Sequence, residues 1–256
     1  MEKLLELVTK LRSPQGCPWD RKQTHLSVRP QLISECYELI ETIDRQDDNA
    51  MKEELGDVLF QVVFHAQLAQ ERGAFTFGDV VQVLCDKLTR RHAHVFGDKK
   101  AADVQEALTS WNQAKTQEKA GQESALAGIP KELPSLMQAE EVQKEAARAG
   151  FDWKEVEPVF HKIHEEFREL EESMFKQGIH RGEIESELGD LFFAIVNLSR
   201  HLQLDAEQAC RKAVQKFINR FQWMEKQIAE KGRNMHELKL EELDIYWERS
   251  KVIFPQ

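Results

Sequence analysis

The chain has 256 residues, of which 41% are hydrophobic and 31% charged, with only 12 glycines and 7 prolines. This composition favours a helical globular protein with a buried core over a disordered or all-β chain. The formal net charge of −10 argues against nonspecific nucleic-acid binding, which needs a basic surface. Widely spaced cysteines and the lack of a long apolar run at the N-terminus predict a cytoplasmic protein without disulfides, signal peptide or membrane span.

Helical periodicity dominates the rest of the sequence. Apolar residues at 32, 33, 36, 40 and 43 form one stripe with a 3.6-residue period, which predicts a helix. The segment 53–69 is apolar on most sides, so we expect a helix at the centre of its module. Further helices are predicted over 79–94, 136–149, 156–176, 183–202 and 206–231. The fold class is therefore predicted to be all-α.

A polar segment divides the chain. It covers residues 118–134 and ends in a stretch that contains Gly128, Pro130 and Pro134. We interpret it as a linker between an N-terminal domain, 1–117, and a C-terminal domain, 135–256.

Five motifs occur once in each half, in the same order and about 129–136 residues apart. Such self-similarity is typical of a duplicated structural unit. We therefore predict a tandem repeat of one helical module of ordinary domain size. The motifs are Gly-x-x-Trp (16–19 and 150–153), Glu-x-x-Glu (35–38 and 166–169), Glu-Leu-Gly-Asp (54–57 and 187–190), Lys-x-x-x-Arg (87–91 and 216–220) and Trp-x-x-x-Lys (111–115 and 247–251).

The acidic motifs of the C-terminal half predict a metal site. Glu166 and Glu169 are three residues apart, so they are neighbours on one helix face. Glu187 and Asp190 repeat this spacing on the next long helix, where the surrounding residues are apolar almost all round. Ionised carboxylates in such a setting are costly unless they are paired or bind a cation. Oxygen ligands of this kind suit Mg²⁺, Mn²⁺ or Ca²⁺.

Two basic and aromatic motifs follow the acids. Lys216 and Arg220 are four residues apart on one helix face, and both can bind the phosphate oxygens that a metal leaves free. Trp247 is a candidate platform for stacking on a nucleobase.

Several of these segments resemble the MazG family of nucleoside triphosphate pyrophosphohydrolases, within the all-α NTP pyrophosphatase superfamily. The matching stretches include GCPWD at 16–20, ELGDVLFQVVF at 54–64, RRHAHVFGD at 90–98, GFDW at 150–153 and ELGDLFFAIVNLSRHL at 187–202. The resemblance implies two MazG-like helical-bundle modules and a homodimer. It also implies Mg²⁺, for which Mn²⁺ can substitute, and hydrolysis of NTPs or dNTPs to the monophosphate and pyrophosphate with broad base specificity.

The resemblance also assigns roles to residues. As our own mechanistic hypothesis, water attacks at the α-phosphorus with either Glu166 or Glu169 as the general base. The implied metal ligands are Glu165, Glu166, Glu169, Glu187 and Asp190, and the implied substrate contacts are Lys216, Arg220, Trp247 and Lys251.

The N-terminal copy of the motif departs from the family pattern at its first acid, where Ser34 stands. The remaining acids, Glu35, Glu38, Glu54 and Asp57, are present. We therefore predict a second and weaker site in the N-terminal half and assign catalysis to the C-terminal half.

Other functions compete with this interpretation. A hydrolase specific for one deoxynucleotide, of the house-cleaning type, would use the same acids, and a non-enzymatic nucleotide-binding regulatory module would keep them without turnover. A carboxylate-bridged di-iron protein is disfavoured, because such bundles use Glu-x-x-His and no glutamate here is followed three residues later by histidine.

Overall fold

The computed structural model describes residues 1–97, 100–118, 124–176 and 180–255. Within these ranges the regular structure is helical and contains no strand, which confirms the all-α prediction. The chain divides into two compact units, Met1–Ala120 and Gly121–Gln256. Part of the predicted linker, residues 119–123, lies outside the described residues. None of the described helices has the length and hydropathy needed to cross a bilayer.

The N-terminal unit is organised around its two longest helices, α3 and α4, which pack side by side. Only three residues separate them, so they run as antiparallel neighbours. α1 packs on α4 and closes a buried core of Val8, Val28, Val63, Phe64 and Leu68. The helices of this unit are α1 (Glu2–Arg12), α2 (Pro18–Lys22), α3 (His25–Asp44), α4 (Asp48–Glu71), α5 (Phe77–Arg91), α6 (Ala93–Phe96) and α7 (Val104–Glu118).

Local capping fixes where α3 and α4 begin. Thr24 accepts a hydrogen bond from the Ser27 backbone N–H (3.2 Å), and the Ser27 hydroxyl accepts one from the Thr24 N–H (2.9 Å). Asp47 caps α4 by accepting from the Ala50 N–H at 3.1 Å. Because the caps fix the first residue of each helix, they also fix the helix face on which its acidic residues lie.

The C-terminal unit repeats the helix pair as α9 and α10. α8 packs on α10, and α11 packs on α12 around a core of Met224, Ile228, Leu238 and Tyr246. Its helices are α8 (Ser135–Arg148), α9 (Val156–Phe175), α10 (Arg181–His201), α11 (Ala206–Glu230) and α12 (Leu240–Ile253), with a 3₁₀ turn at Met235–Glu237.

The helix predicted over 53–69 is central to the N-terminal unit, because α1, α3 and α5 all pack against it. This segment lies in α4, and Val63 and Phe64 are indeed buried. Leu55, in contrast, is 51% exposed, because the helices of the unit pack on the other side of α4. α10 shows the same pattern, with Phe192 53% exposed. Each long helix therefore keeps one apolar face open.

Candidate functional site

The structure brings together three predicted metal ligands of the C-terminal unit. Glu166 and Glu169 lie one helical turn apart on α9, and Glu187 faces them from α10. Each contributes a carboxylate oxygen to a group in which all oxygens lie within 4.8 Å of one another. Glu166 is buried and the other two are half-buried. We call these residues the C-terminal triad.

Electrostatic repulsion within the C-terminal triad is visible in the pKa of Glu169. Burial is the largest cause that raises this pKa, and the neighbouring negative charge of Glu166 is the next. Glu165 and Glu187 raise it further, while Lys162 lowers it. A divalent cation at this point would relieve the repulsion, because it favours the ionised carboxylates.

Lys162 neutralises part of the cluster. Its ammonium group lies 2.7 Å from a Glu166 oxygen and 2.9 Å from a Glu165 oxygen. These two carboxylates raise the pKa of Lys162 and hold it charged. Sequence reasoning missed this residue, although its position one turn before the acids predicts such ion pairs.

The other two predicted ligands stand apart from the close group. Glu165 is exposed and pairs with Lys162, and Asp190 is exposed at the wall of a neighbouring cavity that Glu166 also lines. Their role as metal ligands stays a prediction.

The cavity beside the C-terminal triad has a volume of about 650 Å³. Its walls come from α8, α9 and α10 and from the segment 150–153, and they are mostly apolar. Among the lining residues are Gln143 and Asn197, both buried. A cavity of this size beside a charged group is typical of a small-molecule site. No periodicity in the sequence pointed to it.

An ion pair borders the cavity. Arg200 donates to Asp152 at 2.9 Å, and this hydrogen bond is the main cause that lowers the pKa of the Asp152 carboxyl. Arg200 also donates to the Asn197 side-chain oxygen at 2.7 Å. The segment before α9 is thereby fastened to the end of α10.

The predicted substrate contacts lie on α11 and α12, and none of them lines this cavity. Arg220 donates to the Phe254 carbonyl at 2.7 Å, and its guanidinium carbon lies 5.8 Å from the Trp247 ring centre. Lys251 pairs with Glu248, and Lys216 is half-buried on α11. Contact of these residues with phosphate or base stays a prediction.

The repeated arginine and tryptophan have a packing role in both units. In the N-terminal unit the Arg91 guanidinium carbon lies 5.3 Å from the Trp111 ring centre, and Arg91 donates to Glu118 at the end of α7. Arg220 makes the corresponding contacts with Trp247 and the Phe254 carbonyl at the end of α12. The recurrence of the Lys-x-x-x-Arg and Trp-x-x-x-Lys motifs in both halves thus has a structural cause, because their arginine and tryptophan pack together.

The N-terminal unit carries an equivalent acidic group. Carboxylate oxygens of Glu35 and Glu38 on α3 and Glu54 on α4 lie within 4.8 Å of one another. Burial, followed by the charge of Asp57, raises the pKa of Glu35, and burial with Glu38 raises that of Glu54. We call Glu35, Glu38 and Glu54 the N-terminal triad.

Ser34 takes part in this N-terminal group. Its hydroxyl donates to Glu38 at 2.8 Å. Among the described residues, none of the three acids of the N-terminal triad forms an ion pair with a lysine or arginine.

Comparisons with known proteins point to one family. The family model for the MazG nucleotide pyrophosphohydrolase domain matches residues 23–96 and again residues 154–224. A Thermotoga maritima protein named nucleoside triphosphate pyrophosphohydrolase/pyrophosphatase MazG is 52% identical to this chain. The alignment covers 98% of this chain and 95% of the Thermotoga protein. A nucleoside triphosphate pyrophosphohydrolase from Escherichia coli K12 is 44% identical, with 98% and 97% covered. One from Mycobacterium tuberculosis is 30% identical, with 95% and 64% covered.

Proposed function

The chain belongs to the MazG family of nucleotide pyrophosphohydrolases, and on this basis we propose that it hydrolyses nucleoside triphosphates to the monophosphate and pyrophosphate with Mg²⁺. The observation that carries the proposal is the C-terminal triad, whose acids converge from two helices beside a cavity of nucleotide size. We further propose broad base specificity.

The residues present fit a divalent metal ion. The donors are carboxylate oxygens, which Mg²⁺ and Mn²⁺ prefer. Burial and then the charge of Glu166 raise the pKa of Glu169, and a bound cation would act in the opposite direction. Glu166, Glu169 and Glu187 would hold the ion, with Glu165 and Asp190 as further proposed ligands. Bound there, Mg²⁺ supplies charge neutralisation for the triphosphate and the leaving pyrophosphate.

The protein's own groups position the reactants. Glu166 or Glu169 orients the attacking water toward the α-phosphorus and accepts its proton. Lys162 holds its charge beside the carboxylates, where it balances the site before substrate arrives. Lys216, Arg220 and Lys251 are the proposed phosphate contacts, and Trp247 is a proposed base contact.

The N-terminal triad is proposed as a second and weaker metal site. Its geometry matches that of the C-terminal triad, but a serine replaces the first acid of the motif. One fewer carboxylate weakens the binding of a divalent cation, because less negative charge faces it.

The proposed assembly is a homodimer in the cytoplasm. The open faces of α4 and α10 expose Leu55, Leu188 and Phe192, and their burial against a second copy would be favourable. Light scattering of the purified chain should give twice the mass of 29.8 kDa, and a mass of one copy at micromolar concentration would contradict this part of the proposal.

A nucleotide panel tests the proposed reaction. ATP, GTP, CTP, UTP and their deoxy forms are incubated with the purified chain and Mg²⁺, and the products are separated by anion-exchange chromatography. We expect monophosphate and pyrophosphate in equal amounts from each, and no turnover with EDTA. Formation of diphosphate and inorganic phosphate would refute the proposed cleavage point, and turnover of a single nucleotide would favour a specific house-cleaning hydrolase.

A further inference from the structure

We propose that Lys162 competes with the divalent ion for Glu166 and thereby sets the concentration of the ion at which the C-terminal triad fills. The inference rests on the proposed function, because it assumes that an ion binds this triad. It goes beyond that function by giving the site an internal cation that regulates it. The affinity of the triad for the ion is then a property of Lys162 as well as of the carboxylates.

Lys162 and the ion would use the same buried carboxylate. The ammonium nitrogen of Lys162 lies 2.7 Å from Glu166 Oε1, and the side chain of Glu166 is only 8% exposed. Glu166 also belongs to the group whose oxygens lie within 4.8 Å of one another. Carboxylate oxygens bind Mg²⁺ at about 2.0–2.1 Å, so an ion on the same oxygen would lie within about 5 Å of the ammonium group. Like charges at this distance repel, so each cation weakens the binding of the other.

The charge of Lys162 reaches the rest of the C-terminal triad. Burial and then the charge of Glu166 raise the pKa of Glu169, and Lys162 lowers it. Lys162 thus stabilises the ionised form of Glu169, which a divalent ion would also do. Lys162 and the ion therefore act on the same carboxylates in the same direction, and the presence of either makes the other less favourable.

Glu165 gives Lys162 a second partner beside the triad. It lies one turn from Lys162 on α9, and its Oε1 atom accepts a hydrogen bond from the ammonium group at 2.9 Å. Lys162 can therefore release Glu166 to the ion while Glu165 still compensates its charge. The other oxygen of Glu165 stays available for the ligand role proposed above.

The lysine and its second partner occur together in one unit and are replaced together in the other. By the spacing of the Glu-x-x-Glu motifs, Gln31 corresponds to Lys162 and Ser34 corresponds to Glu165. Gln31 carries no charge, so it cannot oppose a cation at the N-terminal triad. A lysine at this position would reach Glu35 over the same four-residue helical spacing that joins Lys162 to Glu166.

The arginine nearest in effect to the N-terminal triad is engaged elsewhere. Arg45 lowers the pKa of Glu54, but burial and the neighbouring acids raise it. The Arg45 guanidinium lies 3.3 Å from a Glu41 oxygen, and within the described ranges none of the triad acids pairs with a lysine or arginine. The N-terminal unit is therefore a natural version of the site without the competing lysine.

Binding of Mn²⁺ in the absence of nucleotide tests the competition. Electron paramagnetic resonance measures the free ion, and the Glu54→Gln chain, which lacks one acid of the N-terminal triad, reports on the C-terminal triad. In this chain Lys162→Gln should bind Mn²⁺ about tenfold more tightly, because the repulsion is removed. Lys162→Arg keeps the charge, so its affinity should stay within about threefold of the parent.

The reciprocal exchange is made in the N-terminal unit. In the Glu187→Gln chain, which keeps the N-terminal triad intact, Gln31→Lys should weaken Mn²⁺ binding about tenfold. Lys144→Gln is the matched control, because Lys144 pairs with Glu140 on α8 at 2.8 Å rather than with the triad. Its affinity for Mn²⁺ should change by less than about twofold.

The inference is overturned if Lys162→Gln binds Mn²⁺ no more tightly than its parent, because Lys162 would then orient Glu166 rather than compete for it. Equal tightening by Lys162→Arg, unchanged binding by Gln31→Lys, or no Mn²⁺ binding by the Glu54→Gln chain would also overturn it. Circular dichroism checks folding, and a Lys162→Gln variant that misfolds leaves the decision to Gln31→Lys. Tighter binding by Lys162→Gln in a protein that hydrolyses no nucleotide would refute the proposed function while the competition stands.

Discussion

The two units share an acidic group and differ in what surrounds it. In each, two glutamates from one helix and one from the next bring oxygens within 4.8 Å. The C-terminal triad has Lys162 beside it and an open cavity next to it, whereas in the N-terminal unit Gln31 corresponds to Lys162 and a packed core replaces the cavity. The two units therefore share the arrangement of the acids but not the space beside it.

The core of the N-terminal unit is closed by Arg12. Val8, Phe64 and Val63 are almost fully buried, and Arg12 covers Phe64 while it pairs with Glu71 at 2.7 Å. The guanidinium hydrogen bonds lower the pKa of Glu71, so this pair stays charged at neutral pH. Burial of these apolar side chains stabilises the unit.

The largest expected effect comes from removing one charge from each triad in turn. Glu187→Gln should lower pyrophosphate release by about a hundredfold, because the proposed metal loses a negatively charged ligand. The matched variant Glu54→Gln should change it by less than about twofold. Rates with saturating ATP and Mg²⁺ give both values, with circular dichroism to confirm that each variant is folded. Equal losses of rate in the two variants would contradict the assignment of catalysis to the C-terminal unit alone.

A second variant separates stability from catalysis. Phe64→Ala removes a ring from the N-terminal core and should lower the free energy of unfolding of that unit by about 3–5 kcal/mol. Val83→Ala, on the surface of α5 and 67% exposed, is the control and should cost much less. Urea titrations of the full chain followed by circular dichroism report the lower-stability transition.

Pyrophosphate release by Phe64→Ala in the absence of urea completes that experiment. We expect the rate to stay within about twofold of the unsubstituted chain, since the C-terminal unit has its own core. A rate that falls in proportion to the loss of N-terminal stability would contradict the assignment of catalysis to the C-terminal unit alone.

The smallest expected effect concerns the arginine that anchors the last helix of each unit. Hydrogen bonds from Arg91 and Arg90 hold the pKa of Glu118 at about 2, well below its ordinary value of 4.5, whereas Arg220 donates to the uncharged carbonyl of Phe254. Because the folded pKa is lowered, Glu118 stabilises the N-terminal unit fully above about pH 4.5 and loses this contribution as the pH falls toward 2.

Glu118→Gln should therefore lower the melting temperature of the N-terminal unit by about 1–4 °C at pH 7. The difference between the variant and the unsubstituted chain should shrink as the pH is lowered below 4.5. Differential scanning calorimetry at pH 7, 4 and 3 measures both, with the C-terminal transition as internal reference. A difference that is constant over this range would show that the charge of Glu118 does not matter.

Much of the helical organisation was predictable from the sequence because it is local. The 3.6-residue apolar stripe of 32–43 lies in α3, and the spacing of Glu166 and Glu169 places them on one face of α9. The convergence of Glu187 on these two was predicted from the cost of leaving so many acids unpaired. The central place of α4 was predicted from its apolar residues, but its exposed face was not, because hydrophobicity alone does not say which neighbours a single unit provides.

The two copies of the Gly-x-x-Trp motif need glycine for different reasons, which the sequence does not predict. At Gly16 a Cβ atom would lie 2.2 Å from the carbonyl oxygens of Lys10 and Leu11, so close approach of the backbone requires glycine. At Gly150 nothing crowds a Cβ, and the positive φ is the reason instead. The same sequence motif therefore occurs with two different backbone environments.

The sequence by itself determined the helices, the duplication and the acidic residues on their faces, because these depend on spacing along one chain. Only the tertiary structure decided that Lys162 neutralises Glu166, that Gln143 keeps an unpaired oxygen, and that a cavity opens beside one triad while Phe64 and Arg12 fill the other unit. Such features depend on which side chains from separate helices meet, and on how much space they leave, which no periodicity records.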